Sequence, residues 1–122
     1  MVEDLNNEQM REVFEEVSNY FFLLSEPTRL KILYALCDGE RAVGSVVKEI
    51  EASQANVSRQ LTMLYQARIL QRRKDGAQVY YRIQDQNTIE LCRVVCSQMV
   101  EKVKNLGRAA SPLGEGDIAR DD

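Results

Sequence analysis

The sequence predicts a mostly α fold completed by a small β-hairpin wing, a winged helix-turn-helix, and three features of residues 53–83, SQANVSRQLTMLYQARILQRRKDGAQVYYRI, predict it. Ser53 is a strong helix N-cap, because its hydroxyl oxygen accepts a bond from an unpaired N–H of the first turn. Val57, Leu61 and Leu64 recur at steps of four and three, so one narrow helix face is apolar and turns inward. After Ile69 and Leu70 come the cations Arg72, Arg73 and Lys74, then Asp75-Gly76, a dipeptide suited to a type I′ turn. Residues 78–83 alternate back as the returning strand.

Five helices and one hairpin account for the chain. The first helix covers about residues 7–24, with Met10, Val13, Phe14, Val17, Phe21 and Leu24 on one face, more apolar surface than a small wing domain needs for itself. Ser25-Glu26-Pro27 opens the second, a cap followed by a proline tolerated in the first turn. Leu30, Ile32, Leu33, Tyr34 and Leu36 make that helix nearly all buried, and Asp38-Gly39 ends it. A short third helix carries Val43, Val46, Val47 and Ile50. Glu51-Ala52-Ser53 is the turn into the recognition helix. That helix presents Gln54, Ser58, Arg59 and Thr62 outward, with Asn56 and Gln60 at the flanks. The last helix spans about residues 86–106, where Ile89, Cys92, Cys96, Met99, Val103 and Leu106 recur at heptad spacing. Such a seam packs along a partner helix. A second set, Leu91, Val94 and Val95, is placed to face its own domain. Residues 1–106 thus form one winged-helix DNA-binding and dimerisation domain, and 107–122, rich in glycine and charge, a disordered tail.

Charge points to double-stranded DNA. The net charge is −3, yet residues 53–83 hold Arg59, Arg68, Arg72, Arg73, Lys74 and Arg82 against only Asp75, a balance of +5. Residues 1–26 carry seven acids and one base, a balance of −6. With a Debye length of about 8 Å at physiological salt, a clustered face outweighs the total. The expected DNA contacts are Ser53, Gln54, Asn56, Ser58, Arg59 and Gln60 on the helix and Arg72, Arg73, Lys74 and Gln78 on the wing. A homodimer through both terminal helices, with the seam Ile89, Cys92, Cys96, Met99 and Val103, sets two recognition helices on successive major-groove faces. A near-palindromic promoter operator follows.

Composition excludes other classes. The chain has no His and no Trp, and neither an apolar run that crosses a membrane nor an apolar signal core at its acidic N-terminus. Three cysteines at no scaffold spacing fit a reducing cytoplasm. An enzyme would need a base or phosphate loop, and there is no histidine, CxxC or glycine-rich loop. A pure protein-interaction module would not require Arg72, Arg73 and Lys74 on one hairpin.

The run LSEPTRLKILYALCDGERAVGSVVKEIEASQANVSRQLTMLYQARILQRRKDGAQVYYRIQD resembles the ArsR/SmtB family of bacterial repressors, most specifically in SEPTRLKIL, ANVSRQLTMLYQARIL and RRKDGAQVYYRI. The resemblance spans roughly residues 21–101. It implies a dimeric winged-helix repressor that blocks a promoter until an inducer lowers its DNA affinity, with recognition residues on 54–65 and a wing on 72–82. One family site pairs carboxylates with histidines on the last helix. Asp85 and Glu101 match the carboxylates, but Asn87 and Gln98 stand for the histidines, so no histidine-based zinc site forms. The family's cysteine site on the third helix matches residues 40–44, which contain no cysteine.

Cys92 and Cys96, four residues apart on one helix face, and Cys37 remain. Two thiolates with a possible third suit a soft metal(loid) ion such as arsenite, cadmium or copper(I). They equally suit oxidation or persulfidation, and the resemblance offers a second-helix and last-helix cysteine pair that Cys37 and Cys96 match loosely. The alternative is a DNA-binding regulator whose cysteines only pack, since free cysteine is a small hydrophobe.

Overall fold

The first helix, α1 (Asn7–Leu23), starts where Asn6 and Gln9 cap each other reciprocally, each side chain accepting the other's main-chain N–H. The computed structural model describes residues 4–109. Along all of α1 no residue is buried, and Phe14, Val17 and Phe21 are exposed at 66%, 42% and 52%. The helix therefore forms by its own capping and leaves its apolar face uncovered.

Then come α2 (Pro27–Ala35), β1 (Arg41–Ala42), α3 (Val43–Ile50), α4 (Gln54–Gln66), β2 (Leu70–Asp75), β3 (Gln78–Ile83) and α5 (Gln86–Ala109). Contacts divide the chain into two compact units, Met1–Asp85 and Gln86–Asp122. In the first, α2, α3 and α4 pack on one another, and the sheet runs in the order β1-β3-β2, all antiparallel. Ile32, Leu33 and Leu36 of and after α2, Val46 of α3 and Val57, Leu61 and Leu64 of α4 form the core, closed by Ile69, Leu70, Tyr81 and Ile83. Each such side chain contributes about 1.5–3 kcal/mol on burial.

The expected elements are present, with local corrections. Glu26, not Ser25, caps α2: its carboxylate accepts from the Arg29 N–H at 2.9 Å, while the Ser25 hydroxyl turns back to the Phe22 carbonyl. Leu30 and Tyr34 of α2 are exposed, because they lie opposite the stripe of Ile32, Leu33 and Leu36. The hairpin turn is one residue later than expected. Asp75 pairs with Gln78, so Gly76 and Ala77 are central, and only Gly76 has a positive φ, +65°. Type I′ needs both positive, whereas glycine first suits type II′. Strand β1 was not expected; its two residues pair with Tyr80 and Tyr81.

The end of α4 is a Schellman motif, with Arg68 N–H donating to Tyr65 O and Ile69 N–H to Leu64 O. Arg68 holds the left-handed position, φ +67°, where glycine is usual. Ile69 and Leu64 are both buried, at the two positions whose apolar side chains commonly accompany this motif.

In the second unit α5 runs three residues past Leu106, to Ala109, into the expected tail; 110–122 lie outside the described residues. Burial varies along α5. Thr88 and Cys92 are buried and Ile89, Leu91, Cys96 and Leu106 half-buried, but Val94, Val95, Met99, Val100 and Val103 are exposed. Of the second apolar set, Leu91 is half-buried and Val94 and Val95 are exposed. Among the described residues no helix is long and apolar enough to cross a membrane.

Candidate nucleic-acid interface

The helix-turn-helix consists of α3, the turn 51–53 and α4. Glu51 ends α3 in the left-handed conformation, φ 55°, and reverses the chain; Ser53 then caps α4, its Oγ accepting from the Asn56 N–H at 3.1 Å. Ser53 is thus committed to the helix start. Gln54 and Arg59 are exposed on α4, and Asn56 and Ser58 half-buried. The Arg59 Nη2 donates to Asn56 Oδ1 at 2.7 Å.

Gln60 does not belong to the outer face. It is 8% exposed, and its Oε1 accepts from Arg29 Nη1 at 3.0 Å while its Nε2 donates to Asn56 Oδ1 at 3.4 Å. Sequence reasoning placed Gln60 at an exposed flank, yet 57, 60, 61 and 64 make the i, i+3, i+4, i+7 stripe of a buried helix face. The spacing held the signal and the polar side chain hid it.

Arg29 is the second residue that the sequence did not single out. It is 6% exposed. A buried charge is tolerated only where hydrogen bonds replace water. Here Nε donates to Leu23 O at 2.7 Å, Nη2 to Phe22 O at 3.3 Å, and Nη1 to Gln60 and to the Met63 sulfur. The guanidinium also lies 5.7 Å from the Phe22 ring centroid. The carbonyls come from the negative end of α1, which favours a cation. Arg29 thereby joins α1, α2 and α4.

On the hairpin, successive side chains alternate in direction. Arg72 and Lys74 therefore leave one face and Arg73 and Gln78 the other, the latter pair lying beside Tyr80 and Asp75 in the β2–β3 register. Arg72 stacks on the Tyr65 ring at 4.1 Å, and a hydrogen bond to the Tyr81 side chain, then the nearby Tyr65, raises its pKa further. Arg73 forms a two-pronged pair with Glu40, 3.0 and 2.8 Å, lies 3.6 Å from Asp75 and covers the Tyr80 ring at 4.5 Å. That pair holds the Glu40 carboxyl below its usual range and raises Arg73. In the protein alone Arg73 is thus paired with Glu40. Lys74 and Gln78 are exposed. At the other end of the sheet Arg41 joins Glu49 (2.6 Å), Ser45 and Ala35 O, fixing α3.

Cys37 and Cys96 are half-buried and Cys92 buried, none in a disulfide. Among the described residues no group of three or more Cys, Asp, Glu or His is placed to hold a metal ion.

The sequence profile described as "Bacterial regulatory protein, arsR family" matches residues 26–72, from the cap of α2 into β2. The cadmium resistance transcriptional regulatory protein CadC homolog of Staphylococcus aureus is 39% identical over 100 residues, 81% of this chain and 76% of that protein. The biofilm growth-associated repressor of Xylella fastidiosa is 30% identical over 101 residues, 80% of this chain and 89% of that one. In fold, the homodimeric winged helix-turn-helix DNA-binding domain of a possible ArsR-family regulator from Mycobacterium bovis superposes with a TM-score of 0.71 at 24% identity, covering 84% of this chain and 94% of that one. The matched proteins are transcriptional regulators, a class without enzymatic turnover. The chain belongs to the arsR family of bacterial regulatory proteins, the ArsR/SmtB winged-helix transcriptional repressors.

Proposed function

We propose that this repressor binds a near-palindromic promoter operator in the cytoplasm as a homodimer, and is released by an inducer acting on the thiols of Cys92 and Cys96. The observation that carries operator binding is α4, exposed along Gln54 and Arg59 behind a capped helix-turn-helix. A side chain such as Arg59 suits the O6 and N7 acceptors of guanine in the major groove. The wing's Arg72 and Lys74, with Arg73 once released by Glu40, would rest on phosphates.

The homodimer is supported by two uncovered apolar faces. In α1 these are Phe14, Val17 and Phe21; in α5 they are Val95, Met99 and Val103. Apolar surface of this extent on helices lacking cover is the surface a second copy buries. The acidic first helix then lies away from DNA.

Thiol sensing is supported by the four-residue spacing of Cys92 and Cys96 on α5 and by the half-exposed Cys96, and a relative is named for cadmium resistance. Two thiolates suit a soft ion or a covalent sulfur or redox signal. A second reading, that these cysteines only pack, is favoured by the 9% exposure of Cys92. One experiment separates them. Wild type and the Cys92→Ser, Cys96→Ser double variant are assayed for release from the promoter by arsenite, cadmium, copper(I) and polysulfide. Loss of release in a variant that still binds DNA supports sensing; wild-type release by the variant leaves packing as their role.

A further inference from the structure

We infer that Asn56 does not read adenine but acts, with Gln60, as a positioning residue that pre-aims Arg59 at guanine. The inference rests on α4 being the helix that enters the major groove. It follows from the direction of one hydrogen-bond chain. Buried Arg29 can only donate, so Gln60 must turn its amide oxygen toward it, at 3.0 Å. The Gln60 amide nitrogen then faces Asn56, which must answer with its own oxygen, at 3.4 Å. Arg59, again donor only, takes the same Asn56 oxygen at 2.7 Å.

Both lone pairs of Asn56 Oδ1 are thereby used inside the protein. Reading adenine bidentately needs an asparagine to accept from N6 while donating to N7. Asn56 has no acceptor left for that contact. What Arg59 and Asn56 still present is donors only: the remaining N–H groups of Arg59 and the Asn56 amide nitrogen. Guanine offers two acceptors, O6 and N7, and is the base that fits. The buried end of the chain, Arg29 on the α1 carbonyls, keeps the polarity from reversing.

The test is selection of binding sites from randomised duplexes with the full-length wild type, Asn56→Ala and Gln60→Glu. A glutamate at position 60 still accepts from Arg29, so the core contact survives, but it cannot donate to Asn56 and the direction of the chain is lost. A purely structural Gln60 would be satisfied by that change. The wild-type half-site is expected to hold a guanine whose preference falls about fivefold or more in both variants, with no position losing an adenine preference. Retention of the wild-type guanine preference by Gln60→Glu overturns the inference. So does an Asn56→Ala protein that loses adenine at one position and keeps guanine. A wild type that enriches no sequence overturns operator reading itself, and the positioning role with it. Thermal unfolding of each variant confirms that it is folded.

Discussion

Replacing Glu40 with glutamine should make the repressor bind DNA of any sequence more tightly. Glu40 holds Arg73 through two bonds, 3.0 and 2.8 Å, on a surface where the two side chains are 31% and 51% exposed. An exposed pair of this kind adds only a small increment to stability, so the variant should remain folded at neutral pH. Its consequence is for phosphate binding. Each phosphate neutralised adds about 0.9 to the slope of log affinity against log salt. Freeing one arginine should therefore steepen the slope by about 0.9, a further ~3.5-fold loss of affinity between roughly 50 and 200 mM salt, with the gain largest at the low end. Anisotropy titrations of a random-sequence duplex across that range measure both quantities. The same substitution in an Arg73→Ala background should have little effect, since the pair is then already broken. Unchanged affinity and slope in Glu40→Gln would refute the reasoning and remove Arg73 from the phosphate contacts.

Acidification should weaken the fold at two identified points. Glu26, chiefly through the Arg29 main-chain N–H, and Glu40, chiefly through the Arg73 side chain, are held below the ordinary carboxylate range. For a carboxylate depressed in the folded state, the stabilisation is complete above the ordinary value and is lost as pH falls through the folded one. Melting temperature against pH should therefore drop below that range, less steeply in a Glu26→Gln, Glu40→Gln double variant; parallel curves would dismiss both groups. Arg68→Gly should raise stability by up to ~1 kcal/mol in urea unfolding, because the left-handed position costs a side chain about 1–2 kcal/mol and glycine returns part of that as chain entropy. A loss of stability would mean that Arg68 makes contacts worth more than its strain. Met99→Asp should shift the proposed dimer toward monomer in sedimentation at micromolar concentration, since an unpaired charge in an interface costs several kcal/mol. A fully dimeric variant would place the interface elsewhere.

Most of the fold was legible because helix periodicity and capping are local. The stripe Val57, Leu61, Leu64 and the Ser53 cap gave α4 its start and inward face. What escaped was polar or tertiary. Arg29 stands on the same stripe as Ile32, Leu33 and Leu36, and Gln60 on that of Val57 and Leu64, but a polar side chain on a buried stripe reads as surface until its partner across the core is known. Strand β1 is two residues long and exists only through its pairing with β3. Ser25 is the cap that residue type favours, and Glu26 takes the role because its carboxylate meets the Arg29 N–H. The wing was legible as a cationic hairpin, not as the pairing of Arg73 with Glu40, 33 residues apart in the chain.

The most direct test of sequence-specific repression is the ratio of affinities for the protein's own promoter duplex and a scrambled duplex, in wild type and Arg59→Ala, at one fixed salt concentration. The wild type should favour the promoter by about 10³-fold or more. Arg59→Ala should lose about 1–3 kcal/mol of that preference while its affinity for the scrambled duplex changes far less. Equal affinity of the wild type for both duplexes, or an Arg59→Ala protein with undiminished preference, would contradict the account.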